Sequence, residues 1–344
     1  MRALLPLLCA AAGFVPAAAQ DVPAPAPPVA VHATPTDSTT TRLYTPAGDP
    51  LAFSDLLARL DTTDVLFLGE QHDDAVGHAF QRLLFDAVVD RYAGRRPVVL
   101  ALEMFERDVQ LVLDEYLAGV IREKDFLAAA RPWSNYTADY RPLVEAARAN
   151  GLPVVASNAP ARYVSRAGRG ASLDSLSATA RAYLPALPAE PASPAVREAF
   201  YAVMESMGAL HPAMPASAPD SLAESDSISF HHAMPAMDTG AMLAAQNLRD
   251  ASMGEAVGAE LDRAPGALIV HVNGSFHTRG RTGIVDHLLR VRPAARVVVL
   301  TAEPVADARA FDAATHGPLG DVIALTGQPT PATDAPDVTG SDAP

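Results

Sequence analysis

Cysteine is almost absent from this sequence: Cys9 is the only one in 344 residues. It sits inside the apolar run Ala3–Val15, behind Met1-Arg2 and ahead of Ala17-Ala18-Ala19. That arrangement reads as a cleaved secretory signal over residues 1–20. A lipoprotein signal places its cysteine at the end of the apolar core, whereas here apolar sequence continues past Cys9, which argues against a lipid anchor. With the signal removed no thiol remains. The mature chain then has neither disulfides nor cysteinate metal sites, and any metal must be held by His, Asp, Glu, Tyr or Met. Lysine is equally scarce, with Lys124 alone beside 25 arginines, and net charge is −14 with no basic run. Nucleic acid and anionic membranes are poor partners for such a chain. No later stretch reaches the roughly 18 consecutive apolar residues of a membrane helix. The motifs HExxH, GxSxG, the P-loop and GxGxxG are also missing, which sets aside the commonest zinc proteases, serine hydrolases and nucleotide enzymes. The expectation is an exported protein, periplasmic or associated with the cell envelope and soluble after signal cleavage.

What is present is organised in blocks. Residues 21–45, rich in Pro, Ala and Thr, predict a disordered tether, and residues 315–344 a disordered tail. Residues 46–314 form the expected domain. Within it, short apolar runs alternate with helical patterns: Val65–Leu68, Val98–Leu102, Pro153–Ala156, Ala267–Val272 and Arg296–Leu300. Short runs that are almost wholly apolar suit strands buried on both faces of a parallel sheet. Phe80, Leu83, Leu84, Ala87 and Val88 make a helical stripe between two of them, and Leu143, Ala146, Ala147 and Leu152 nearly make another. The fold class expected is α/β, a mostly parallel sheet flanked by helices. About 110 residues separate the third and fourth runs, too many for one crossover. They predict an inserted helical subdomain over about 160–260, with helices near 175–184, 194–208 and 240–262 and a Pro/Met/Ser-rich passage at 211–237.

In an open parallel sheet, ligands bind outside the carboxyl ends of the strands. Here each of four strand ends is polar: Gly69–Asp74 (GEQHDD), Glu103-Met104-Phe105-Glu106, Ser157-Asn158 and Asn273–His277 (NGSFH). Helix capping accounts for Asp or Asn, and Asp73, Asp74 and Glu106 are read as helix-start charges. Glu and His are poor caps, so Glu70, His72, Glu103 and His277 are the candidate catalytic or metal-binding set. Two carboxylates and two imidazoles can hold a divalent metal or serve as general acid and base. His271, inside a strand, reads as a core histidine, and His287 as a surface or packing residue.

Six segments in order, GEQHDD-x3-H-x2-Q, LEMFERD-x-Q, W-x-NY-x2-DYRPLVEAAR, SNAPAR, AQ-x-LRD-x-SM and NGSFHTRGRTGI, resemble the ChaN-like haem-binding uptake proteins. That family is grouped with Tiki proteins and erythromycin esterases, and the resemblance covers roughly residues 45–303. It implies a protein of haem and iron acquisition on a parallel α/β sheet with a helical subdomain. For partners it implies haem, an outer-membrane haem receptor and a homodimer formed on haem binding. The enzymatic branches of the superfamily use a Glu and a His after the first strand, a second Glu and a late His, which correspond to Glu70, His72, Glu103 and His277. His78, Asn158, Arg162, Gln246, Asp250 and Asn273 fall in the matching segments as supporting residues. A tyrosine ligates haem iron in the family; Tyr136 and Tyr140 are the leading candidates here, with Tyr163 and Tyr201 behind them. Met207, His211, Met214, His231, His232, Met234, Met237 and Met242 crowd the insert, and His211 is the candidate haem ligand among them. The sequence thus yields a haem-binding protein of iron uptake as its first reading. A metal-dependent hydrolase using Glu70, His72, Glu103 and His277 is the alternative.

Overall fold

A computed structural model describes residues 41–210 and 238–327, with side chains throughout except at 206–210. Seven strands form one sheet: β1 (Thr41–Tyr44), β2 (Val65–Glu70), β3 (Val98–Glu106), β4 (Val154–Asn158), β5 (Leu268–Gly274), β6 (Val297–Val305) and β7 (Val322–Gly327). Their order is β1-β7-β6-β2-β5-β3-β4. Every neighbouring pair is parallel except β1 with β7. All five predicted runs are strands, and the α/β class is as expected.

Eleven α-helices are present among the described residues: α1 (Phe53–Arg59), α2 (Ala75–Tyr92), α3 (Gln110–Leu117), α4 (Glu123–Ala130), α5 (Arg141–Ala149), α6 (Ala161–Gly168), α7 (Ala178–Arg181), α8 (Pro194–Leu210), α9 (Thr239–Arg263), α10 (Ile284–Val291) and α11 (Ala313–His316). Strand side chains alternate between the two faces, and the core divides accordingly. Leu66, Leu68, Leu100 and Leu102 pack with Leu84 and Val88 of α2 and Leu143 of α5 on one face. Val65, Phe67, Val99 and Ala101 pack with Met253 and Val257 of α9 and Ile284 and Leu288 of α10 on the other. The stripe read from Phe80, Leu84 and Val88 is the buried side of α2.

This arrangement brings particular strand ends together. The chain passes from β2 to β3 to β4 along helices of the first face. It then crosses through α6–α9 into β5, which lies between β2 and β3. The carboxyl ends of β2, β5 and β3 are therefore neighbours, although 110 residues separate β4 from β5 in the chain. Register fixes the meeting: Glu70 lies opposite Gly274, and Leu102 opposite Val272. The β3–β4 pairing shifts register between Leu102 and Glu106, and Glu103 stands at that break.

Three expectations are corrected. The tether and tail were drawn too generously, because β1 lies within 21–45 and β7 within 315–344. Val322, Ile323, Ala324 and Leu325 are fully buried between β1 and β6, an apolar run masked by the Pro/Asp-rich sequence after it. The polar segment after Leu102 does not leave the sheet, since β3 continues to Glu106. Glu106 makes no side-chain cap and instead pairs with Arg131 at 2.8 Å. Passage 211–237, with His211 and most of the His/Met group, lies outside the described residues, as do 1–40 and 328–344.

Full burial of an aliphatic side chain is worth roughly 1.5–3 kcal/mol, and β7 buries three large ones at Val322, Ile323 and Leu325. A chain ending at Ala314 is therefore expected to melt at least about 10 °C lower than the full chain. An unchanged melting temperature by circular dichroism would show β7 to be dispensable.

Candidate functional site

Two hydrogen-bonded clusters meet at the carboxyl edge of the sheet. The first is built around Glu70, the last residue of β2, whose side chain is almost fully buried. Its Oε1 accepts from the Tyr140 hydroxyl at 2.5 Å and lies 2.9 Å from Nδ1 of His72. Its Oε2 accepts from Nε2 of Gln81 at 2.6 Å. Gln81 and His78, one turn apart on α2, bond each other at 3.2 Å. His78 Nε2 also meets the His72 carbonyl at 3.2 Å. Asp74 caps α2 by accepting from the Val76 N–H, as its position in GEQHDD predicts. Three side chains, Tyr140, His72 and Gln81, thus satisfy one buried carboxyl group.

The second cluster is built around His277, in the 3-10 turn that follows β5. Its Nδ1 faces Asp250 Oδ1 of α9 at 2.5 Å, and its Nε2 faces Glu103 Oε1 at 3.2 Å. Glu103 Oε2 accepts from the Gly274 N–H at 2.8 Å. All three side chains are at least nine-tenths buried. Burial alone disfavours a charged imidazole, but the two flanking carboxylates outweigh it and raise His277 to about 10. Burial likewise pushes Glu103 up. The charge of His277, its hydrogen bond, the Gly274 N–H and His72 together overcome that and hold the carboxyl down at about 2. Asp250 is raised, chiefly by burial.

The clusters touch through His72. A Cβ on Gly274 would lie 2.9 Å from His72 Cε1 and 3.1 Å from its Nε2, so glycine is what lets the ring lie over the β5 end. Trp133 meets the same ring edge-on at 4.9 Å between centroids. His72 is half-exposed, unlike Glu70, Glu103 and His277. Its hydrogen bond to Glu70 raises its affinity for a proton, against the opposing effect of burial. Gly283 closes the second cluster from below, with φ +62° and room for no side chain: a Cβ would stand 2.4 Å from the His277 carbonyl oxygen.

Beside His277, α6, α8, α9 and Phe276 enclose a cleft of about 680 Å³. Its walls are mostly apolar, and Gln246 on its floor contacts His277 Nδ1 at 2.8 Å.

With this geometry in view, relatives can be compared. A family described as haem-binding uptake proteins of the Tiki superfamily, ChaN, matches residues 56–288. The chain belongs to that family. The match runs from α1 through α10 and so takes in both clusters and the insert. A solved structure described as cofacial haem binding to ChaN of Campylobacter jejuni has the same fold, with a TM-score of 0.58 at 14% identity, covering 85% of this chain and 98% of that one. The type III effector HopBA1 matches more loosely, with a TM-score of 0.38 at 10% identity over 86% of this chain and 100% of that one. No curated protein matches the chain.

The structure brings together Glu70, His72, Glu103 and His277, with His78, Gln246 and Asp250 in contact with them. Asn273 supports the turn after β5 by donating to the Gly274 carbonyl and Thr278. Asn158 is buried at the end of β4 with its Oδ1 unpartnered. Arg162 stands apart from the four and pairs with Asp108 at 2.6 Å. Histidine 271 is the core residue expected, held by Ser157 and Asn273 and pushed down to about 4 by burial. His287 packs in the interior and bonds Asn247 at 3.0 Å.

The leading haem-ligand candidates do not fit that role. Tyr140 is fully buried and donates to Glu70, and Tyr136 is buried among Phe105 and Phe126 with its hydroxyl unpartnered. Burial raises both phenols above their ordinary value, away from the tyrosinate that iron requires. The metal expectation also loses its donors. Both nitrogens of His277 face carboxylates, and Glu70 is engaged by Tyr140, His72 and Gln81. Among the described residues, no three His, Asp or Glu side chains are grouped to hold an ion. The candidate set omitted Gln81 and Trp133, although both lie in the family-like segments that supplied the rest.

The charge on His277 makes a pH prediction. Because its folded value is raised from 6.5 to about 10, the stabilisation is in full force below 6.5 and is lost as pH rises through 10. Unfolding free energy from urea titrations should fall across that window. Asp250→Asn, which removes one flanking carboxylate, should move the fall to lower pH. A flat profile from pH 6.5 to 10 in the wild type would contradict the arrangement.

Proposed function

We propose that this protein binds haem outside the cytoplasm as a component of iron uptake. The observation carrying this reading is the family match over residues 56–288, which takes in strands β2 to β5 and the helical insert together. The cleft beside His277 supports it, since an apolar cavity of this size lies within the roughly 300–1,000 Å³ range of cofactor sites. On this reading haem is bound cofacially, as in the Campylobacter jejuni protein, two copies of the chain meet over the paired haems, and an outer-membrane receptor exchanges haem with them. Titration of purified protein with hemin should give a saturable Soret shift. A shift no larger than that produced by an unrelated acidic protein would refute the reading.

A second reading rests on a different observation, the buried Asp250–His277–Glu103 array beside a half-exposed His72. Haem binding does not require such an array. Hydrolysis would use it with His72, oriented by Glu70, as the base that takes a proton from water. Glu103 and His277, paired with each other, would form a fixed polar wall beside that water. Screening ester and amide substrates should then find an activity that Glu70→Ala lowers by about 10²–10⁴-fold, the usual contribution of general acid–base catalysis. Equal activity of variant and wild type would remove this reading.

A further inference from the structure

The cleft between α6, α8 and α9 contains a charge with no counterpart. Val164, Phe200, Met204, Met242, Ala245 and Phe276 supply most of its wall. Arg249 of α9 also lines it, half-buried, with neither a carboxylate nor a hydrogen-bond partner among the described residues. Arg82, Arg91, Arg131, Arg141 and Arg296 all hold ion pairs with nearby acids. A guanidinium set into an apolar wall loses hydration, and the loss is made good when an anion enters. A second arginine, Arg169, stands exposed at the same cleft.

We propose that this cleft is the porphyrin pocket, with one propionate of the macrocycle paired to Arg249 and the other directed to Arg169. The inference rests on the haem-binding reading above and adds to it the place and the anchor. Two features select a flat dicarboxylate over a single-chain fatty acid. Two arginines are available rather than one, and Phe200 and Phe276 offer aromatic surface to a planar ring. Gln246, shared between cleft and His277, places the bound ring next to the strand-end clusters without occupying them.

The test compares wild type, Arg249→Glu, Ala161→Trp and a charge-matched control, Arg42→Glu, on β1 at the far edge of the sheet. Each is titrated with hemin by Soret absorbance and with iron-free protoporphyrin by fluorescence quenching. Arg249→Glu should weaken both ligands by on the order of tenfold or more. Ala161→Trp, which fills the cleft without changing charge, should weaken both as well, and Arg42→Glu should bind like wild type. Unchanged affinity in Arg249→Glu and Ala161→Trp, with wild type binding normally, overturns the pocket and leaves the haem reading standing. Binding by none of the proteins overturns the haem reading itself. Oleate that displaces protoporphyrin at a lower concentration than hemin does would assign the cleft to a monocarboxylate lipid and overturn the proposal.

Discussion

The contact on which this architecture turns is the one between His277 and the two carboxylates beside it. Asp250 comes from α9 of the insert, Glu103 from β3 and His277 from the turn after β5. The cluster therefore ties three parts of the chain that are remote in sequence. Each group is buried, so deleting His277 leaves two carboxylates without their cation in a dry setting, at a cost of about 3–5 kcal/mol. The insert is consequently no detachable cover. Through Met253 and Val257 its last helix packs into the core on one face of the sheet, and through Asp250 it completes the polar edge.

The two clusters differ in what they leave available. Around His277 every strong donor and acceptor is committed, which suits a fixed electrostatic wall. Around Glu70 the commitment serves to aim one residue, His72, whose second nitrogen lies over Gly274 beside Glu103. The partners also arrive from opposite sides: Gln81 and His78 from α2 on one face, Asp250 and Gln246 from α9 on the other. An open parallel sheet makes that possible because β5 enters between strands already placed, so the helices before and after the crossover end at the same edge.

Much of this was legible in the residues. Val65–Leu68 and Ala267–Val272 announce buried strands because they are almost wholly apolar, and the Glu and His that follow are poor at capping, so their presence calls for another reason. Other parts were not legible. Val322–Leu325 is just as apolar, but its setting against Pro- and Asp-rich sequence hides that it supplies a strand. Tyr136 and Tyr140 lie in a π-helical segment, where the usual helical spacing does not tell which side chain faces inward. Arg249 lies on a 25-residue helix, where a charged residue is ordinarily a solvated one; only the placement of α6 and α8 around it reveals the lack of a partner. The metal expectation failed for a related reason. Sequence counts His and Glu side chains at one edge, but cannot show that they spend their lone pairs and protons on one another.

The fate of Tyr140 also bears on where haem can sit. Its hydroxyl is one of the donors that satisfy Glu70, a carboxylate with almost no access to water. Turning that phenol toward an iron atom would break the bond, leave Glu70 short of a donor and add a second negative charge in a dry site. The same hydrogen bonding that makes the strand-end set look catalytic therefore keeps it from ligating haem. On the pocket proposed here, haem finds apolar surface and positive charge in the insert, within reach of His277. The sheet edge and the cleft thus share a wall at Gln246, which lines the cleft and contacts the His277 imidazole.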